Sequence, residues 1–162
     1  MNITNIDHLL ALVKVDYPHI KFIDDEYFVW SPKTKTISYV QNINPPEHGV
    51  WALLHEIAHA QLEHKKYGTD FSLLKLETQA WSLAKQISIR YNVTIDEDYV
   101  QDCLDTYRDW LHKRAKCPTC GVVSLQRKDL IYQCFNCSTN WQVPRSPLCQ
   151  VSRRIVKTPK TY

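Results

Sequence analysis

Val50-Trp51-Ala52-Leu53-Leu54-His55-Glu56-Ile57-Ala58-His59 decides how this chain is read. The run is apolar and reads as a helix, broken only by two histidines four residues apart and a glutamate between them. On an α-helix such histidines lie on one face, about 40° apart around the axis. Their imidazoles can bind one Zn²⁺ together, and Glu56, beside the first of them, can act on a metal-bound water as general base. Two incidental histidines on a solvated face would be the plain alternative. The surroundings argue against it, because polar groups inside an apolar helix cost free energy unless they are bonded or ligating.

A catalytic zinc needs a third protein ligand and an open position for water. His64 is near in sequence but falls nine residues after His55, about 180° around a continued helix. Glu63 is better placed in angle but about one turn beyond His59 along the axis. Asp70 reads as a helix start. Glu77 is the best candidate. Leu73, Leu76, Ala80, Leu83, Ala84 and Ile87 recur at helical spacing, and Glu77 flanks their stripe. The link from Lys65 to Thr69 contains Gly68 and is short enough to fold this second helix back antiparallel. An ordinary exposed glutamate is the alternative at this position.

His55, Glu56 and His59, followed on the next helix by Glu77-Thr78-Gln79-Ala80, resemble the gluzincin metallopeptidases, and among them the small ImmA/IrrE-type domain. The resemblance spans roughly residues 1 to 110. It includes Tyr27 to Val40, which reads as two β-rich runs around a Ser31-Pro32-Lys33-Thr34 turn. It implies a zincin-like fold, zinc held by His55, His59 and Glu77, and Glu56 as the base. It also implies a strand bordering the cleft that pairs with an extended substrate. The implied substrate is a regulatory protein, often a transcriptional repressor. Trp81 stands where the family often has Asp or Asn, a residue able to orient a ligand histidine. For the oxyanion, Tyr39, His48, His64 and Tyr67 are all candidates, and the sequence does not choose among them.

Cys117-Pro118-Thr119-Cys120-Gly121 and Cys134-Phe135-Asn136-Cys137 carry a second signal. Two Cys-x-x-Cys pairs at this separation place four thiolates around one tetrahedral, structural Zn²⁺. Val122–Leu125 and Leu130–Gln133 read as strands, with residues 126–129 as the turn, so the segment is expected to be a zinc ribbon. Two disulfides would be the alternative in a secreted chain. Cys103 fits a core position in an apolar pattern, and Cys149 follows in the tail.

The expected fold is α+β: a metallopeptidase domain over residues 1–114, a β zinc ribbon over 115–145 and a basic tail over 146–162. Helices are expected near residues 5–15, from Asn44 through the zinc helix, to about Tyr91, and from Asp96 to about Lys113, with strands between Ile20 and Val40. The N-terminus shows no basic segment leading into a long apolar run, so a cytoplasmic chain without a membrane span is expected. Residues 1–112 carry 10 basic and 16 acidic side chains, a net −6, whereas residues 113–162 carry 10 basic and one acidic, a net +9. Besides a protein or peptide substrate, this asymmetry fits nucleic acid as a partner of the ribbon and tail. Contacts would come from Arg127, Lys128, Arg145, Arg153, Arg154, Lys157 and Lys160, with stacking from Tyr132, Phe135 and Trp141. The alternative is docking of the basic module on the chain's own acidic part. Two rival functions remain: an SprT-like protease of DNA-bound proteins, which lacks its third histidine here, and a non-catalytic nucleic-acid-binding adaptor, which has no need of Glu56.

Overall fold

Asn5 begins the first helix. In the computed structural model, which describes residues 3–145 and 151–157, its side chain accepts from the Asp7 amide at 2.7 Å and caps α1 (Ile6–Asp16). Ile6, Leu9, Leu10 and Val13 recur at helical spacing and bury one face.

Three short strands follow: β1 (Lys21–Asp24), β2 (Val29–Ser31) and β3 (Thr36–Tyr39). The expected hairpin is β2–β3, with Trp30 opposite Ile37. β1 joins the other side of β3 in parallel, with Phe22 opposite Ile37. The order β1-β3-β2 makes β3 central and leaves β2 at an edge. Ile37 is fully buried.

α2 (Pro46–Gln61) starts after Pro45, with Pro46 in the first turn, where a missing N–H costs nothing. Gly49, Val50, Leu53, Leu54, Ile57 and Ala58 form its buried face. Gly49 is required by close approach, since a Cβ there would lie 2.6 Å from Ile43 Cγ2. The helix ends in a Schellman cap: Glu63, at φ 52°, donates to Ala60 O (3.1 Å), and the His64 amide reaches back to His59 O (3.0 Å).

α3 (Asp70–Arg90) and α4 (Glu97–Ala115) carry acids in the first turn and bases in the last, as the helix dipole favours. Contacts group the chain into two units. One comprises residues up to Lys66 with Leu76–Val100; the other comprises Tyr67–Lys75 with residues from Gln101 onward. The end of α4 therefore groups with the cysteine segment. Among the described residues no helix is long and apolar enough to cross a membrane.

In the second unit Arg114 is 1% exposed, lies 4.2 Å over the Trp110 ring and faces Asp70 Oδ1 at 3.7 Å. Burial raises the Asp70 carboxyl despite the nearby guanidinium. A four-stranded antiparallel sheet follows, ordered β4 (Gln126–Lys128), β5 (Ile131–Gln133), β6 (Asn140–Gln142) and β7 (Arg154–Val156). Two expectations are corrected here. The first strand is shifted from 122–125 into the expected turn, because the backbone of 122–124 is already bonded to residues 115–117 (Cys117 N to Val122 O, Ser124 N to Ala115 O, both 2.9 Å). The chain reverses instead at Leu130, at φ 59°. Part of the basic tail, expected to lie outside the ribbon, pairs as β7 against β6, with Ile155 opposite Trp141. Cys103 is half-buried on α4, and Cys149 and Lys160 lie outside the described residues.

Candidate metal centres

α2 and α3 bring the first predicted set together. His55 Nε2 lies 3.0 Å from Glu77 Oε2 and 3.0 Å from His59 Nε2, and His59 Nε2 lies 3.5 Å from Glu77 Oε1. Ligands on a tetrahedral zinc with bonds of ~2.1 Å sit roughly 3.3 Å apart. Three groups that each carry a lone pair therefore converge at the spacing one cation would set, and the set can hold a metal ion. Glu77 is 5% exposed, not the surface glutamate of the alternative reading. Burial alone would raise its pKa, but hydrogen bonds and charge from His55 and His59 outweigh burial and hold it at about 2. Burial opposes a charged His59, yet the bond to Glu77 and the carboxylates of Glu56 and Glu77 raise its pKa overall.

Glu56 is not part of this group. Its Oε2 accepts from the backbone N–H of Trp30, in edge strand β2, at 2.7 Å. Trp30 Nε1 in turn donates to His64 O at 3.2 Å. Trp30 escaped the sequence reading: the hairpin was legible, but the register that aims one amide at Glu56 was not.

The two histidines are supported differently. The His55 ring lies 4.2 Å from that of Trp81, tilted by 30°, and its Nδ1 is buried with no hydrogen-bond partner among the described residues. Trp81, at the position where the resemblance implied an acid or amide, thus packs against the His55 ring instead of bonding to it. His59 presents Nδ1 to His64 Nδ1 at 2.8 Å. Burial and the neighbouring His59 lower the His64 pKa. His64 is not in the group that could hold a metal ion, but the reason differs from the angle argument: α2 has already ended, and the cap folds His64 back.

The other oxyanion candidates have partners of their own. Tyr39 is buried in β3, His48 packs its ring 4.4 Å from that of Tyr99, and Tyr67 belongs to the second unit, donating to Arg145 O.

Cys117, Cys120, Cys134 and Cys137 form the second cluster, which can also hold a metal ion. Cys117 Sγ lies 3.6 Å from Cys137 Sγ, and Cys120 Sγ 3.5 Å from Cys134 Sγ, near the ~3.8 Å of thiolates on one zinc. The two turns match. Gly121 (φ 76°) donates to Cys117 O, and Ser138 (φ 59°) to Cys134 O, both at 3.0 Å. The Cys137 amide donates to Cys134 Sγ at 3.5 Å and leads the forces that draw that thiol down to about 6.

The proposed contact residues separate. Tyr132 and Trp141 are stacked at 5.4 Å in the core of this unit and offer no face to a base, whereas Phe135 is 78% exposed. Arg145 bonds Tyr67 O and Asp129, Arg153 bonds Lys116 O, and Arg154 bonds Gln142. No protein-family model, no curated protein and no solved structure matches this chain.

Proposed function

We propose that this chain is a zinc-dependent metallopeptidase of gluzincin type, similar in organisation to ImmA/IrrE-type domains. In this reading a second, structural zinc sits in the cysteine ribbon. One observation carries it: His55, His59 and Glu77 converge on a common point while Glu56, between the two histidines, turns its carboxylate to a strand amide. Three ligands leave a coordination position for water, as catalytic zinc sites do; four thiolates leave none.

Bound zinc would polarise the scissile carbonyl and lower the pKa of a water. The protein's own part is carried by Glu56. The Trp30 N–H fixes Oε2, so Oε1 takes the proton of the attacking water and passes it to the leaving amine. Edge strand β2, which carries Trp30, can pair with an extended peptide, and that suits an endopeptidase. The basic segment over residues 113–162, with Arg127, Lys128 and exposed Phe135, suits a regulatory or DNA-associated protein as substrate.

The test is zinc content and cleavage of a denatured protein, with and without DNA, for wild type and Glu56→Gln. Two zinc ions per chain are expected in both proteins. Cleavage should fall by about 10²–10⁴ in the variant, the usual worth of a general base. Cleavage by Glu56→Gln at the wild-type rate overturns the mechanism.

A further inference from the structure

His59 has two ring nitrogens, and both are engaged. Nε2 faces His55 and Glu77; Nδ1 lies 2.8 Å from His64 Nδ1. Two imidazole nitrogens bond only if one carries the hydrogen and the other a lone pair. When Nε2 is a ligand its lone pair is committed, so the neutral ring carries its hydrogen at Nδ1 and donates it. His64 must then accept at Nδ1 and keep its own hydrogen at Nε2.

The backbone makes this pairing unavoidable. In a Schellman cap the residue after the left-handed position returns to the residue three from the helix end, often with an apolar contact between the two. Here those residues are His64 and His59, so the contact is between two imidazoles. His64 is held by its own amide bonding His59 O (3.0 Å) and by its carbonyl accepting from Trp30 Nε1 (3.2 Å). Neither bond uses its side chain. The ring is therefore placed by the main chain and free to serve as an acceptor.

We propose that His64 is a positioning residue: it accepts from His59 Nδ1–H and so fixes the tautomer and ring orientation in which His59 offers Nε2 to the metal. The inference rests on the metal-binding part of the proposed function. Ligand histidines commonly donate their second N–H to a carboxylate, carbonyl or water, and loss of such a partner costs about 10- to 100-fold in metal affinity. In this chain an imidazole takes that place for His59, while His55 is backed by the Trp81 ring.

The test uses Zn²⁺ affinity by chelator competition and the visible absorption of the Co²⁺-loaded protein. His64→Phe keeps a planar ring without an acceptor; His64→Asn keeps an acceptor on a smaller side chain. The cysteine site serves as internal reference. His64→Phe should weaken one of the two sites by about 10- to 100-fold, leave the other as it was and alter the Co²⁺ spectrum of the weakened site. His64→Asn should recover part of that loss. Equal weakening by both variants would assign the effect to shape and overturn the proposal, as would unchanged affinity in both. A wild type that binds only the ion of its cysteines overturns the metallopeptidase reading itself, a result distinct from a two-ion wild type indifferent to His64. Far-UV circular dichroism of the metal-free variants checks that α2 is intact. If His64→Phe loses helix, His64→Gln, a flexible side chain that keeps an acceptor, takes its place, and affinity as weak as in His64→Ala then overturns the proposal.

Discussion

The two clusters differ in what holds them in place. The cysteines are part of the core they organise: Cys117 and Cys134 are buried with Tyr132, Trp141 and Val143, between strands of only three residues. His55, His59 and Glu77 instead ride on helices of 16 and 21 residues, on which Leu53, Leu54, Ile57, Ala58, Ala80 and Ala84 are buried. On the proposed reading, apolar packing would position the first set before any metal arrives, and metal bound by the second set would stand in for a core too small to hold alone. A site that must keep a coordination position open needs a scaffold stable without the metal. A site that fills every position can lend its binding energy to folding.

The largest effect expected from that difference comes from Cys134→Ser. Structural zinc contributes on the order of 10–16 kcal/mol of apparent binding energy to small metal-dependent folds. Losing one of four thiolates should therefore unfold the sheet β4–β7 and expose the stacked Tyr132 and Trp141. Tryptophan fluorescence and amide exchange would report it. Residues 21–24, 29–31 and 36–39, in the other unit, should keep their protection. Loss of protection in both sheets together would break the comparison.

Glu77→Gln probes the other side and should be smaller in its effect on folding. The amide is close in volume and can still bond to a histidine, so the helices should remain. Its neutral oxygen is a poorer ligand than a carboxylate held at about 2, and affinity at that site should fall by more than the ~10- to 100-fold of an outer partner. Zinc titration against far-UV circular dichroism separates the two quantities. Unfolding of α2 and α3 in the metal-free variant would show that this site, too, depends on its ion.

The same contrast explains what could be read beforehand. The cysteine cluster is legible because each knuckle is local, four residues fixing each pair of thiolates. His55 and His59 are legible through helix periodicity, and Glu77 through the flank of an apolar stripe. Trp30 and His64 were not, for two physical reasons. Which strand amide meets Glu56 depends on pairing register across the sheet, which three-residue strands specify weakly. The turn that delivers His64 depends on where α2 stops, and the stop lacks its usual marker, since Glu63 occupies the left-handed position that glycine normally fills. The displaced β4 has a similar origin: Val122 to Ser124 are rich enough in valine for a strand, but their backbone groups close the knuckle.

Glu63 allows the smallest test, and it sharpens the claim that the helical site is positioned by main-chain geometry. A left-handed conformation costs a residue with a Cβ about 1–2 kcal/mol, which glycine avoids. Glycine also has more unfolded-state freedom to lose, about 0.4–1 kcal/mol. Glu63→Gly should therefore stabilise the metal-free protein by a net ~0.5–1 kcal/mol, raising Tm by roughly 1–4 °C at this chain length. Because the cap bonds from Glu63 N and His64 N are retained, His64 should stay against His59 and metal affinity should hold or rise slightly. A variant that gains stability but loses affinity would show that the glutamate side chain, not the cap, sets the position of His64. A variant that loses stability would show that glycine's extra freedom loosens the end of α2 more than the relief of the left-handed residue tightens it.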